Sequence, residues 1–164
     1  LYLLKDVISG DLFMNKYNED GFLLSIGITR QTLQYLHLFY QINCKITDNF
    51  YVYRSINKNA IKNDILNNYL PFSTVYNIDY LTDGVSHFGV SWNNIVILKI
   101  FIPKESIYLF IGGSENEIVI QPCKLIINNQ FIYTQNARNY IVYYCSFIPY
   151  SLSETLLLID QNKR

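Results

Sequence analysis

Two carboxylates lie one residue apart at the head of an apolar run, Ser114-Glu115-Asn116-Glu117-Ile118-Val119-Ile120. A β-strand sends alternate side chains to opposite faces, so Glu115, Glu117 and Val119 emerge together while Ile118 and Ile120 turn towards a core. Neighbouring acids repel and shift each other's proton affinity, so a purely structural strand has no reason to place them there. Acids so placed suit general acid–base work and the stabilisation of developing positive charge. Two fragments upstream add complementary groups. Tyr53-Arg54-Ser55 closes a Tyr/Val/Phe run and offers a guanidinium on a rigid strand. Phe72-Ser73-Thr74 follows Pro71 and offers two hydroxyls. Each fragment also has a plain reading. The acids can be a solvent-facing strand end, and Arg54 an edge residue whose stem covers apolar surface. Ser73 and Thr74 can be an ordinary polar pair.

The chain of 164 residues is long enough for one domain that buries about two thirds of its unfolded surface. Its hydrophobic content of 50% against 16% charged residues excludes a disordered chain. Lys+Arg and Asp+Glu are equal in number, so no bulk attraction to nucleic acid or an anionic membrane is expected. The longest apolar stretch, Ile95 to Ile102, is broken by Lys99 and too short to span a bilayer, so no membrane segment is expected. The start, Leu-Tyr-Leu-Leu without Met, reads as a domain excised from or processed out of a longer chain. Residues 1–164 are therefore read as a single domain. Cys44, Cys123 and Cys145 are odd in number and far apart, which suggests buried free thiols. His37 and His87 form no ligand spacing, and no metal is expected. No Gly-x-Gly-x-x-Gly or Walker sequence is present, so neither a Rossmann nor a P-loop nucleotide site is supported.

The elements that must position these residues change character near residue 90. Thr29 can cap a helix to about Gln41 with Leu33, Leu36 and Tyr40 on one face. Phe50 to Ile56 reads as a strand. Asn57 or Asn59 can cap a second helix through Ile61, Ile65 and Leu66, stopped by Pro71. Strands are then expected at Ile95–Ile102, Ile107–Ile111, Glu117–Ile120, Leu125–Ile127, Gln130–Tyr133, Tyr140–Phe147 and Leu156–Ile159. Asn128-Asn129 is expected to be a two-residue hairpin loop. The expectation is an α+β domain, with N-terminal helices packed on a mixed or antiparallel β-sandwich.

From about Phe50 to Pro122 the fragments resemble, in order and spacing, the mono-ADP-ribosyltransferase family, in its toxin-like branch with an Arg, Ser-Thr-Ser, Glu-x-Glu signature. The matching pieces are Tyr53-Arg54, then Phe72-Ser73-Thr74, then Ile95–Pro103, and finally Glu115-Asn116-Glu117-Ile118. Val75 departs from the pattern, which usually has a second Ser there. The resemblance implies an NAD cleft between strands and transfer of ADP-ribose from NAD, as co-substrate, to a protein acceptor. It implies that Glu117 is the catalytic acid and that Glu115 handles the nucleophile, typically an arginine. Arg54 would bind the NAD phosphates or ribose, Ser73 would bond near the nicotinamide ribose, and Thr74 would support the backbone around the acid. Tyr76, ahead of Tyr80 and Phe88, is the candidate to stack on nicotinamide. Tyr108 and Phe110, before Gly112-Gly113, are candidates to contact the acceptor, whereas Trp92 reads as packing.

Two other classes stay open. A catalytically silent domain of this fold would bind a partner protein, and Val75 points that way. A glycan-processing enzyme or lectin would use Glu115 and Glu117 differently, but glycosidase carboxylates flank the scissile bond from opposite sides.

Overall fold

A computed structural model of the chain describes residues 30–41, 49–69, 71–82, 94–112 and 117–161. The described elements are a helix α1 (Arg30–Gln41), strand β1 (Phe50–Asn57), β2 (Ile65–Asn68), β3 (Phe72–Val75) and a short helix α2 (Asp79–Thr82). There follow β4 (Ile95–Ile102), β5 (Tyr108–Gly112), β6 (Glu117–Ile120), β7 (Cys123–Gln135), β8 (Arg138–Pro149) and α3 (Leu152–Gln161). The α+β expectation agrees with this mostly-sheet architecture and its few helices.

Hydrogen bonding joins the eight described strands in the order β2-β7-β8-β4-β1-β3-β6-β5. The pairing is antiparallel except for β4 with β8. The sheet has one weak seam. β1 and β3 share a single residue pair, Tyr53 with Val75, whereas β1 and β4 pair along the whole of β1. A flat sheet would hold β6 and β7, five places apart in this order, about 24 Å from each other. Yet only Gln121 and Pro122 link them, a span of at most about 11 Å. The sheet must therefore curl until its two ends approach. Gln121 secures that corner. Its backbone N–H donates to the Ile107 carbonyl at 3.2 Å. Its side chain accepts from the Ile107 N–H at 2.7 Å and donates to the Tyr150 carbonyl at 3.1 Å.

Inside the curl lies one apolar core. Val52, Phe72, Leu98, Ile100, Ile118, Ile120, Leu125 and Phe147 are among its buried members, so it draws on both sides of the seam. The period-two reading of β6 holds: Ile118 and Ile120 enter this core, and Val119 points the other way. That other face is covered, because Val119 packs under Phe39 of α1. Leu36 and Phe39, three residues apart on α1, are both fully buried. The Tyr40 hydroxyl ties α1 to the start of α3, donating to the Tyr150 carbonyl at 2.6 Å and lying 3.1 Å from the Thr155 hydroxyl. Thr29 lies outside the described residues.

Three expectations are corrected. The segment expected as a second helix is a 3-10 turn, Lys58–Ala60, followed by a tight reversal into β2. Asn57 does cap it, accepting from the Asn59 N–H at 2.9 Å. Asn63 and Asp64 then both take positive φ between Lys62 and Ile65, the requirement of a two-residue hairpin turn, and no helix passes such a pair. Asn128-Asn129 is not a hairpin loop but a bulge within the long strand β7. Its Asn128 amide donates to the Ser146 hydroxyl at 2.7 Å. The true reversal is Asn136-Ala137, with φ of 52° and 60°. Finally, Leu156–Ile159 is helical. Ser151 and Glu154 form a reciprocal cap, with the Glu154 N–H donating to the Ser151 hydroxyl at 3.1 Å and the Ser151 N–H to the Glu154 carboxylate at 3.3 Å.

Ala137 occupies a left-handed conformation that costs a residue with a Cβ about 1 kcal/mol or more. Ala137→Gly is expected to raise the urea midpoint, stabilising the protein by roughly 0.5–1 kcal/mol. A lower midpoint would show that the turn does not impose this strain.

Candidate active site

The expected site residues lie on three strands that meet at the seam. Arg54 is on β1, Ser73 and Thr74 on β3, and Glu117 at the start of β6. β3 and β6 are paired over four residues, with Ser73 opposite Val119 and Val75 opposite Glu117. Ser73 and Glu117 are thus diagonal neighbours on one face, close enough for side chains to meet. The Ser73 hydroxyl donates to Glu117 Oε1 at 2.5 Å, a short charge-assisted bond when the acid is ionised. Thr74 points to the opposite face. It is 2% exposed, and its hydroxyl donates to the Ile118 carbonyl at 2.7 Å, fixing the backbone one residue beyond Glu117.

Arg54 enters from the other side of the seam. Its Nη1 donates to the Ser73 carbonyl at 2.8 Å. The guanidinium sits 4.7 Å from the centroid of the Phe72 ring, a cation–π contact. Ser73 therefore touches both charged groups, the guanidinium through its carbonyl and the carboxylate through its hydroxyl. Arg54 and Glu117 are half-buried, a setting in which charge interacts more strongly than in bulk water.

β5 borders the site from the far side. Phe110 pairs with Ile118 and Gly112 with Glu117, with a bulge between the two pairs. Gly112 has a φ of 77°, which a side chain would strain. The segment between Gly112 and Glu117, with Glu115, lies outside the described residues. Phe110 is 56% exposed, and Tyr108 is half-buried against the main core. Tyr76 directly follows β3 and is 58% exposed, its ring centroid 6.4 Å from that of Phe50. Tyr80, within α2, is half-buried; Phe88 and Trp92 lie outside the described residues. Val75, where the resemblance led to the expectation of a second Ser, is 6% exposed and packs in an apolar cluster with Leu81.

The structure therefore links Arg54 and Glu117 through Ser73, turns Thr74 to the opposite face and leaves Tyr76 exposed just past β3. Sequence reasoning did not identify Phe72 as the support of the guanidinium. Its signal was an aromatic residue immediately before the serine, on the face to which Arg54 turns.

Other chemistries find less support. Burial pushes the Cys123 thiol up, with Cys145 a lesser cause, and pushes the Cys145 thiol up to about 12, so neither is a ready thiolate. Among the described residues no three His, Cys, Asp or Glu side chains are grouped to hold a metal ion. Among the described helices none is long and apolar enough to cross a membrane. A groove of about 390 Å³ lies elsewhere, between the Asn63-Asp64 turn and the β7 bulge, and is lined by Lys58, Asn128, Gln130 and Tyr143 among others. None of the four converging residues lines it. Amide and apolar side chains make up most of the groove's lining, whereas Arg54 and Glu117 bring opposite charges to Ser73.

No protein-family model matches the sequence, and no curated protein matches it. Solved structures do. Plx2a, an ADP-ribosyltransferase toxin from Paenibacillus larvae, aligns over 90% of this chain and 87% of its own, with a TM-score of 0.58 and 15% identity. An ADP-ribosyltransferase from Clostridium botulinum aligns over 87% of this chain and 79% of its own, with a TM-score of 0.55 and 16% identity. BECa, an ADP-ribosylating toxin of a binary enterotoxin of C. perfringens, solved with NADH, aligns over 90% of this chain but 44% of its own, at 10% identity and a TM-score of 0.55. The chain thus has the fold of ADP-ribosyltransferase toxins.

Proposed function

We propose that this protein transfers ADP-ribose from NAD to a protein acceptor at an arginine side chain, releasing nicotinamide. The observation that carries the reading is the double contact of Ser73, with Arg54 on its carbonyl at 2.8 Å and Glu117 on its hydroxyl at 2.5 Å. BECa, which shares the fold, is solved with NADH, and this supports a dinucleotide as the ligand.

The reaction breaks the bond between ribose C1′ and the nicotinamide nitrogen, and nicotinamide leaves with the bonding electrons. The sugar passes through an oxocarbenium-like state, as in glycoside hydrolysis. Glu117, already held by Ser73, places negative charge where that positive charge develops, with no reorganisation at the moment of reaction. Arg54 holds the phosphates or the distal ribose, and Tyr76 stacks on the nicotinamide ring. A guanidinium nitrogen of the acceptor then attacks C1′ and gives up its proton, and Glu115 takes it or orients the group that does. Thr74 keeps the β6 backbone fixed next to Glu117.

The second reading is a catalytically silent domain of the same fold that binds a partner. Val75 favours it, because an apolar side chain stands opposite Glu117 where the family usually has Ser. The burial of Val75 beneath Leu81 supports the first reading instead, since the position serves packing while Ser73 bonds the acid.

The purified protein is expected to hydrolyse NAD slowly without an acceptor and to label arginine-bearing protein when one is supplied. Glu117→Gln is expected to reduce both activities by about 10²- to 10⁴-fold. Glu115→Gln should lose transfer and largely keep hydrolysis, and equal loss of hydrolysis in both variants contradicts the division of roles. Arg54→Lys, which lacks the planar fork, should weaken NAD binding by roughly tenfold in calorimetry. Unchanged affinity would remove Arg54 from the NAD site, and no detectable binding by the unaltered protein would favour the silent domain.

A further inference from the structure

The stretch 76–78 leaves β3 beside the candidate site and is held at its far end by α2. Side chains from the remote β7–β8 hairpin grip both ends of α2. The Tyr133 hydroxyl donates to Asp79 Oδ1 at 2.7 Å. The Thr82 hydroxyl donates to Gln135 Oε1. The Tyr140 hydroxyl donates to the Thr82 carbonyl at 3.4 Å. Beneath these bonds Val75, Leu81, Ile97, Tyr140 and Val142 form an apolar cluster that spans the seam. Asn77 adds a local brace, accepting from the Asp79 N–H at 3.0 Å.

We infer that the β7–β8 hairpin is a clamp that sets NAD affinity. Tyr133 and Gln135 are positioning residues, acting through Asp79 and Thr82 on the wall that carries Tyr76. This rests on the proposed function. It separates binding from chemistry for a structural reason. The four β3–β6 pairs hold Ser73 against Glu117 by strand pairing in which no residue of α2 takes part. Releasing α2 therefore loosens the wall at 76–78 and leaves the acid in place. A four-residue helix is too short to hold itself, so the bonds from this hairpin, with Leu81 packed in the cluster beneath, decide where it sits.

Tyr133→Phe and Gln135→Leu, made singly and together in the full chain, test this with NAD hydrolysis as the readout. The double variant is expected to raise KM for NAD about five- to tenfold with kcat within about twofold, the loss expected for one or two hydrogen bonds. Asp79→Ala should match Tyr133→Phe, and combining the two should add nothing, because both remove one bond. Asp79→Asn, which keeps the acceptor oxygen, should restore most of the affinity. Amide hydrogen exchange over 76–82 should quicken in the double variant. A parallel fall in kcat, an unchanged KM, or unchanged exchange overturns the clamp alone. Absence of NAD turnover by the unaltered protein overturns the proposed function and the clamp with it.

Discussion

At the seam between β1 and β3 the ladder consists of one residue pair, and beyond it the Ser73 carbonyl takes its hydrogen bond from the Arg54 guanidinium. A carbonyl shut away from water without a donor costs roughly 1–3 kcal/mol, so the guanidinium contributes to the fold as well as to the site. The same serine offers its hydroxyl to Glu117. Closing the seam therefore also aligns the acid. A change at Arg54, Ser73 or Glu117 acts on both contacts, and the stability of this region and the proposed chemistry are coupled through Ser73.

Convergence of positions 54, 73 and 117 depends on the curl of the sheet. β1 runs alongside the long strands β4, β8 and β7, whereas β3 and β6 belong to the short-stranded end with β5. The two-residue link from β6 to β7 folds that end back, and the core formed by Phe72, Ile118 and Ile120 with Leu98, Leu125 and Phe147 fills the bend. On the outer face, Glu117 stands between apolar neighbours, with Val75 opposite it and Val119 buried under α1. Apolar flanks lower the local dielectric, which strengthens the bond from Ser73 to the carboxylate. Burial of apolar surface thus shapes the path by which a guanidinium, a hydroxyl and a carboxylate meet.

Much of this was legible in the sequence where one physical signal dominated. Ile95–Ile102 and Glu117–Ile120 fall where β-branched residues and alternation place them, and Phe50–Asn57 exceeds its expected strand by one residue. The order of Arg54, Ser73 and Glu117 pointed to residues that the structure links through Ser73. The errors came from turn chemistry. Asn63-Asp64 and Asn136-Ala137 reverse the chain without glycine, and Asn128-Asn129, which looks the more obvious turn, is absorbed as a bulge. In α3 the Ser151-x-x-Glu154 cap was the available signal, and the apolar run Leu156–Ile159 outweighed it. The role of Ser73 as the joint between two charges was not legible, because it depends on a strand register that spacing along the chain does not encode. The clamp on α2 was hidden for the same reason, since Asp79 and Tyr133 lie 54 positions apart.

The most direct test of the central claim is a crystal structure of the protein with NAD. The account predicts the nicotinamide ribose beside Glu117, with the pyrophosphate or distal ribose on Arg54 and Ser73 between them. NAD bound in the groove lined by Lys58 and Asn128, or no NAD at millimolar concentration, would contradict it.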